Sequence, residues 1–264
     1  MGAARASLAE RAAAKVDSLG LPEDSTHHAI AAHWIATNGP PRPVGAEGTF
    51  WVCRDGLWCR LTLEQAEVNI GGAYATHKHC RRKSDYSAIA RHAYDMVADP
   101  EFFPAAPVGV ATLGAVYLVD GGELRREALA CEHRQRYRVP VEPVQRATPM
   151  WDYYLDSAFR HEDAERTTEQ QALAQELVGA ALTGMLPAHE RAVLLHGPGG
   201  TGKSTLMRII SALMPREYTT AISPFRWASD YHLAALATAR LNLVGELPSD
   251  QFIPAAEFKD VTGR

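Results

Sequence analysis

Between Gly197 and Ser204 the chain reads Gly-Pro-Gly-Gly-Thr-Gly-Lys-Ser, a match to the pattern G-x-x-x-x-G-K-[ST]. Gly197, Gly199, Gly200 and Gly202 open backbone conformations closed to other residues. The preceding run Ala192-Val193-Leu194-Leu195 is continuously apolar, which predicts a strand buried on both faces of a sheet. After the loop, Leu206, Ile209, Ile210 and Leu213 recur at helical spacing. Strand, glycine-rich loop and helix in that order predict an α/β arrangement around a phosphate-binding turn.

The chemistry follows from the residue types. Glycines let the backbone wrap closely around phosphate oxygens, and the free N–H groups at a helix start favour negative charge. On this reading Gly197, Pro198, Gly199, Gly200, Thr201 and Gly202 cradle the phosphates of ATP, and Lys203 reaches the β and γ phosphates. The Ser204 hydroxyl takes a position on Mg²⁺, and Thr205 adds a phosphate contact. Such a site also needs an acid at the end of a neighbouring strand to hold Mg²⁺ and polarise water. Leu241-Asn242-Leu243-Val244-Gly245 is strand-like and places Glu246 at its C-terminal end, where open α/β sheets bind ligands. Asp250 is the nearest other acid, but it follows Pro248 in a loop. The bland alternatives are a structural glycine-rich turn and a solvated surface acid.

A length of 264 residues and a hydrophobic fraction of 46% suffice for one large domain or two modest ones. Net charge is -4, which gives no electrostatic sign of a nucleic-acid coat, although a motor can confine its positive charge to a channel. Apolar stretches are short and interrupted by charge, so no membrane association is expected. The Ala-rich start lacks an apolar signal core, and a cytoplasmic protein with reduced Cys53, Cys59, Cys80 and Cys131 is expected.

Helices are predicted over Ala3–Leu19 and from Ser25 to Thr37, followed by a linker at Gly39-Pro40-Pro41-Arg42-Pro43. Phe50–Cys53 and Leu57–Cys59 around Asp55-Gly56 predict a hairpin. Helices are expected around Leu63–Asn69 and Tyr86–Val97. A second β-rich block starts at Val108, with a hairpin of Ala115–Val119 and Glu123–Arg125 around Asp120-Gly121-Gly122, and ends in Tyr137–Val141. From Trp151 the pattern is helical, with Leu173, Leu177, Ala181, Leu182 and Met185 on one face of a helix that stops near Pro187.

Three further stretches, Ala228–Leu236, Ala239–Glu246 and Ala256–Gly263, resemble the superfamily 3 helicase core of phage and plasmid primase-helicases. Gly114–Leu124 resembles the hairpin of the poxvirus-type domain that precedes that core, so the resemblance covers about Thr49 to Arg264. It implies a mixed α+β N-terminal region followed by a partial P-loop, AAA+-like ATPase core. The expected segments are 1–48, helical with a linker; 49–188, the poxvirus-type domain; and 189–264, the partial helicase core. Proteins of this family hydrolyse ATP with Mg²⁺ between the subunits of a homohexamer and translocate on DNA during replication. The resemblance implies Lys203 and Glu246 as catalytic, Ser204 and Glu246 as metal-holding, and Lys259 in a motif leading to a DNA-contacting hairpin. The family's sensor Asn and arginine finger would lie past Arg264, and 48 residues before the first hairpin leave no room for a polymerising primase domain.

Other readings stay open. A P-loop kinase shares the loop but needs a lid, and none is evident after Glu246; an ATP-binding fragment without turnover is the third. His77-Lys78-His79-Cys80-Arg81-Arg82-Lys83 reads as a solvated loop, a strand contact or, with Cys53 and Cys59, a metal corner. Arg125, Arg126, Arg134, Arg136 and Arg138 read as a surface, and Trp51, Trp58, Trp151 and Trp227 as packing residues.

Overall fold

A computed structural model describes residues 20–22, 24–186, 192–248 and 252–262. The helix expected over Ala3–Leu19, and Pro187, Asp250 and Gly263, lie outside them. The fold is mixed α+β, and it divides into two compact units: residues 1–106 with 130–136, and residues 107–129 with 137–264.

Among the described residues, the first helix of the first unit is α1 (His27–Thr37), capped by the Thr26 hydroxyl, one residue later than Ser25 was expected to open it. Strands β1 (Val44–Ala46), β2 (Thr49–Arg54) and β3 (Leu57–Leu61) form an antiparallel sheet. Arg54 pairs with Leu57, so Asp55 and Gly56 form a two-residue turn, at φ 50° and 78°. Both angles are positive, as the Asp-Gly pair predicts. Helix α2 (Leu63–Tyr74) starts on a capping box between Thr62 and Gln65, and α3 (Lys83–Met96) follows. Both run longer than their apolar patterns suggested.

Ile30, Ala31, Trp34 and Ile35 of α1 meet Phe50 and Val52 of β2, Ala66, Ile70 and Tyr74 of α2, and Ile89, Ala90 and Ala93 of α3 in one buried cluster. Phe50 is fully buried, edge-on to Trp34 at 4.9 Å and to Tyr94 at 5.6 Å. Burying a side chain of this size contributes about 2–3 kcal/mol. The Gly39–Pro43 stretch is therefore no linker: it joins α1 to β1 within one unit, and Pro43 is buried. Nor is His77–Lys83 merely a solvated loop, since His77 and Cys80 are fully buried beneath exposed Lys78 and His79.

The opposite face of the sheet carries a second cluster. Trp51 packs on Phe103 and Trp58 on Phe102, each at 4.8 Å between ring centroids. Residues 130–136 lie against it: the Trp58 indole N–H donates to the Cys131 carbonyl at 2.7 Å, and the Trp58 amide to Gln135 at 2.8 Å. Arg134 stands 4.5 Å over the Phe102 ring and donates to the Phe102 carbonyl. Arg136 lies 4.4 Å over Phe103 and donates to both Glu47 carboxylate oxygens. These two arginines belong to packing between rings rather than to the open surface expected for them. Cys53 and Cys131 form a disulfide, which corrects the expectation of reduced thiols at those positions. Cys59 and Cys80 are free.

In the second unit, β4 (Gly109–Ala111), β5 (Val116–Asp120) and β6 (Glu123–Glu127) form an antiparallel sheet whose second hairpin turns at Gly121-Gly122, with φ 59° and 87°. Glu142 latches it: the carboxylate accepts from Thr112 Oγ1 at 2.6 Å and from the Gly114 amide at 2.9 Å, and Arg126 stands 3.5 Å away. The Thr112 hydroxyl and the Gly114 amide hold the Glu142 carboxyl below its ordinary range.

Helices α4 (Pro149–Ala158) and α5 (Ala164–Thr183) follow, the latter capped by Asp163 and ended by Gly184 at φ 74°. The helix stops there, before Pro187, because the left-handed conformation closes it. Ala174 and Ala181 are buried and Leu177, Leu182 and Met185 half-buried, so the expected face turns inward except at Leu173, which is 52% exposed. Tyr137, Val139 and Met214 form this unit's buried cluster, with Val110, Leu182, Tyr218 and Leu241 beside it. No helix among the described residues is long and apolar enough to cross a membrane.

Candidate functional site

The glycine-rich turn leads into α6 (Lys203–Leu213), as predicted. Gly202 is the residue before the helix, at φ 86°, and Gly197 and Gly200 have φ of 151° and 79°. A side chain at Gly202 would be strained by its φ, and its Cβ would stand 3.0 Å from Tyr154 Cε2 and 3.2 Å from Ala158 Cβ. Glycine is therefore favoured there on two counts. Leu206 is buried and Ile209, Ile210 and Leu213 are half-buried, which anchors the helix behind the loop.

Lys203 is the first helical residue, and its ammonium folds back over the turn. Nζ donates to the Gly197 carbonyl at 2.8 Å, to the Pro198 carbonyl at 2.6 Å and to Thr201 Oγ1 at 3.3 Å. Thr201 Oγ1 in turn donates to the Pro198 carbonyl at 3.0 Å. A positive charge thus sits within the ring of loop atoms. Pro198, Gly199 and Gly200 are exposed, as are Ser204 and Thr205 in the first turn of α6, so these groups are open to a ligand.

Tyr154 of α4 closes the back of this turn, a contact that the sequence reading missed. Its hydroxyl donates to the Gly202 carbonyl at 3.2 Å, its ring stacks on Trp151 at 5.4 Å, and burial raises its phenol above the ordinary range. No local pattern announces a pairing 48 residues apart.

The strand expectations need correction. Ala192–Leu195 forms no strand, and Val193 and Leu194 are 46% and 74% exposed. Its apolar run finds no partner among the described strands, because β7 (Thr219–Thr220) and β8 (Leu241–Asn242) pair only with each other, in parallel. Helix α7 (Asp230–Thr238) lies between them in sequence. β8 also ends well short of Glu246. Asn242 explains part of this: its side chain accepts from Thr220 Oγ1 at 3.0 Å and from the Ile222 amide at 2.8 Å, and donates to the Ile222 carbonyl at 2.9 Å. The side chain takes over the bonds that a longer ladder would make.

Glu246 is exposed in an irregular stretch. Lys259 is exposed on α8 (Ala255–Thr262), whose Phe258 stacks on buried Trp227 at 6.0 Å. Among the described residues no hydrogen bond or ion pair joins Glu246 or Lys259 to the loop around Lys203. Two open concavities lie elsewhere, one of about 370 Å³ lined by Asp24, Thr76, Lys78 and Arg81, the other of about 410 Å³ lined by Phe225, Arg226, Ala228, Ser229 and His232. Neither is lined by a loop residue.

The possible metal corner of His77, Cys80, Cys53 and Cys59 does not assemble. Cys53 is held by Cys131, and no group of three or more His, Cys, Asp or Glu side chains gathers as a metal site among the described residues. Burial, with Asp85 nearby, pushes the Cys80 thiol up to about 11. No family model matches the chain, and no curated protein matches it.

Proposed function

We propose that the chain binds ATP with Mg²⁺ at Gly197–Ser204, and that it is the motor portion of a phage- or plasmid-type primase-helicase. One observation carries the first half. Gly202 in the left-handed conformation starts a helix with Lys203 and Ser204 as its first two residues, so first-turn N–H groups, an ammonium and a hydroxyl converge on one exposed turn. A phosphate oxygen in the turn would exchange the carbonyl contacts of Lys203 for stronger charge-assisted ones. Ser204 would hold Mg²⁺, and Thr205 a further phosphate oxygen.

The second half rests on the resemblance, in which a single acid and Lys-x-x-Thr-Gly follow the loop in order. Glu246 is then the acid that holds Mg²⁺ through water and polarises the attacking water, and Lys259 belongs to a DNA-contacting segment. DNA and a homohexamer are the partners this implies. The exposure of Glu246, with no bond to the loop, favours a second reading in which this chain binds ATP without turning it over.

Steady-state hydrolysis with and without single-stranded DNA separates these readings. The helicase reading expects DNA-stimulated phosphate release that Glu246→Gln abolishes while ATP binding persists. Tight ATP binding without release supports the second reading. Phosphoryl transfer to an added acceptor instead of water would replace both with a kinase.

A further inference from the structure

Five histidines among the described residues have a ring nitrogen matched with a group that makes a poor metal chelate. His33 Nδ1 is 2.8 Å from the Tyr74 hydroxyl, His77 Nδ1 3.1 Å from the Pro22 carbonyl, and His27 Nε2 2.9 Å from the His79 carbonyl. His133 and His161 accept from the backbone amides of Ala130 and Asp163 at 3.0 Å. One pair differs. His28 Nδ1 and His92 Nε2 lie 2.9 Å apart, with ring centroids at 5.2 Å and planes inclined by 57°.

The two rings come from α1 and α3, which are fixed against each other by Ile30 and Ala31 on one helix and Ile89 and Ala93 on the other, all fully buried. A spacing set by a packed core is a preorganised one. His28 is exposed and His92 half-buried, so water and ions reach the pair.

We propose that His28 Nδ1 and His92 Nε2 form a binding site for one divalent late-transition ion of the copper, nickel and zinc class. Imidazole nitrogens suit these ions, whereas Mg²⁺ and Ca²⁺ prefer oxygen. Two donors at about 2.0 Å from a metal stand about 2.8 Å apart when they are cis in a square-planar centre and about 3.3 Å apart in a tetrahedral one. The observed 2.9 Å falls nearer the first, so Cu²⁺ and Ni²⁺ fit with the smaller movement of the rings. Binding turns each ring so that its lone pair faces the ion, and the ring that donates the His–His hydrogen bond changes tautomer, its proton passing through water to its other ring nitrogen, so both rings bind as neutral imidazoles. No third His, Cys, Asp or Glu side chain joins the pair among the described residues, so water fills the remaining positions. The ion bridges α1 to α3.

The test is thermal unfolding of the full chain with NiCl₂ or CuCl₂ added, against MgCl₂ as control. The expected result is a rise in Tm with Ni²⁺ or Cu²⁺ alone, lost in both His28→Gln and His92→Gln and kept in His27→Gln. A rise of equal size in His28→Gln and His92→Gln, or none in the wild type, overturns the proposal. Electron paramagnetic resonance of bound Cu²⁺ gives an independent readout that does not depend on how stable each variant is. Coupling to two nitrogens in the wild type, reduced to one in His28→Gln, supports the site, and the same spectrum in both overturns it.

Discussion

The α1–β2–α2–α3 layer and the stretch around Lys203 are built on opposite principles. In the first, the apolar faces meet partners: Phe50, Ile30, Ile70 and Ile89 are fully buried, although Val68 on α2 stands well exposed, and a second aromatic cluster with its disulfide covers the other side of the sheet. In the second, Leu206 is buried behind the loop, while Val193 and Leu194 just before it stand exposed and the neighbouring two-stranded sheet is two residues long. One region draws its order from apolar burial. The other holds its turn through polar bonds, those of Lys203, Thr201 and Tyr154, and such a region gains from a ligand that binds the folded form.

The largest effect should come from breaking the buried layer. Phe50→Ala removes a ring packed on Trp34 and Tyr94 and should cost about 3–5 kcal/mol, read as a lower midpoint in urea unfolding followed by tryptophan fluorescence. A loss below about 1 kcal/mol would mean that the layer is not the stabilising core.

A smaller, pH-dependent effect is expected at the β4–β6 latch. The carboxyl of Glu142 is lowered by Thr112 and Gly114, so its contribution is present above the ordinary carboxylate range and is lost as pH falls through its lowered folded value. Glu142→Gln should be less stable than the wild type at neutral pH, with the difference narrowing in acid. A difference independent of pH would show that the charge is not what latches the hairpin.

The smallest effect is expected at Leu194, and it sharpens the comparison most. Exposed at 74%, Leu194 should tolerate Asp within about 0.5 kcal/mol. A loss of several kcal/mol would place this run inside a sheet, as its composition alone suggests.

Local signals account for what was legible in the sequence. Asp55-Gly56 and Gly121-Gly122 announce their turns because positive φ angles are needed at those points, and the G-x-x-x-x-G-K-[ST] pattern places the start of α6 for the same reason. The packing role assigned to Trp51, Trp58 and Trp227 also agrees with their burial. Pairings at long range left no such mark. Cys131 finds Cys53 across 78 residues, Tyr154 reaches Gly202 across 48, and Arg136 reaches Glu47 across 89. An apolar run such as Ala192–Leu195 reports its own hydrophobicity but not whether a neighbouring strand is there to receive it.

The most direct test of the account is equilibrium binding of ATP with Mg²⁺ to the wild-type chain and to Lys203→Ala. Charge-assisted bonds of the kind Lys203 would make are worth about 1.5–3 kcal/mol, so the variant should bind roughly ten- to a hundredfold more weakly. Equal affinity in the two proteins, or no saturable binding by the wild type, would contradict the assignment of Gly197–Ser204 as a triphosphate site.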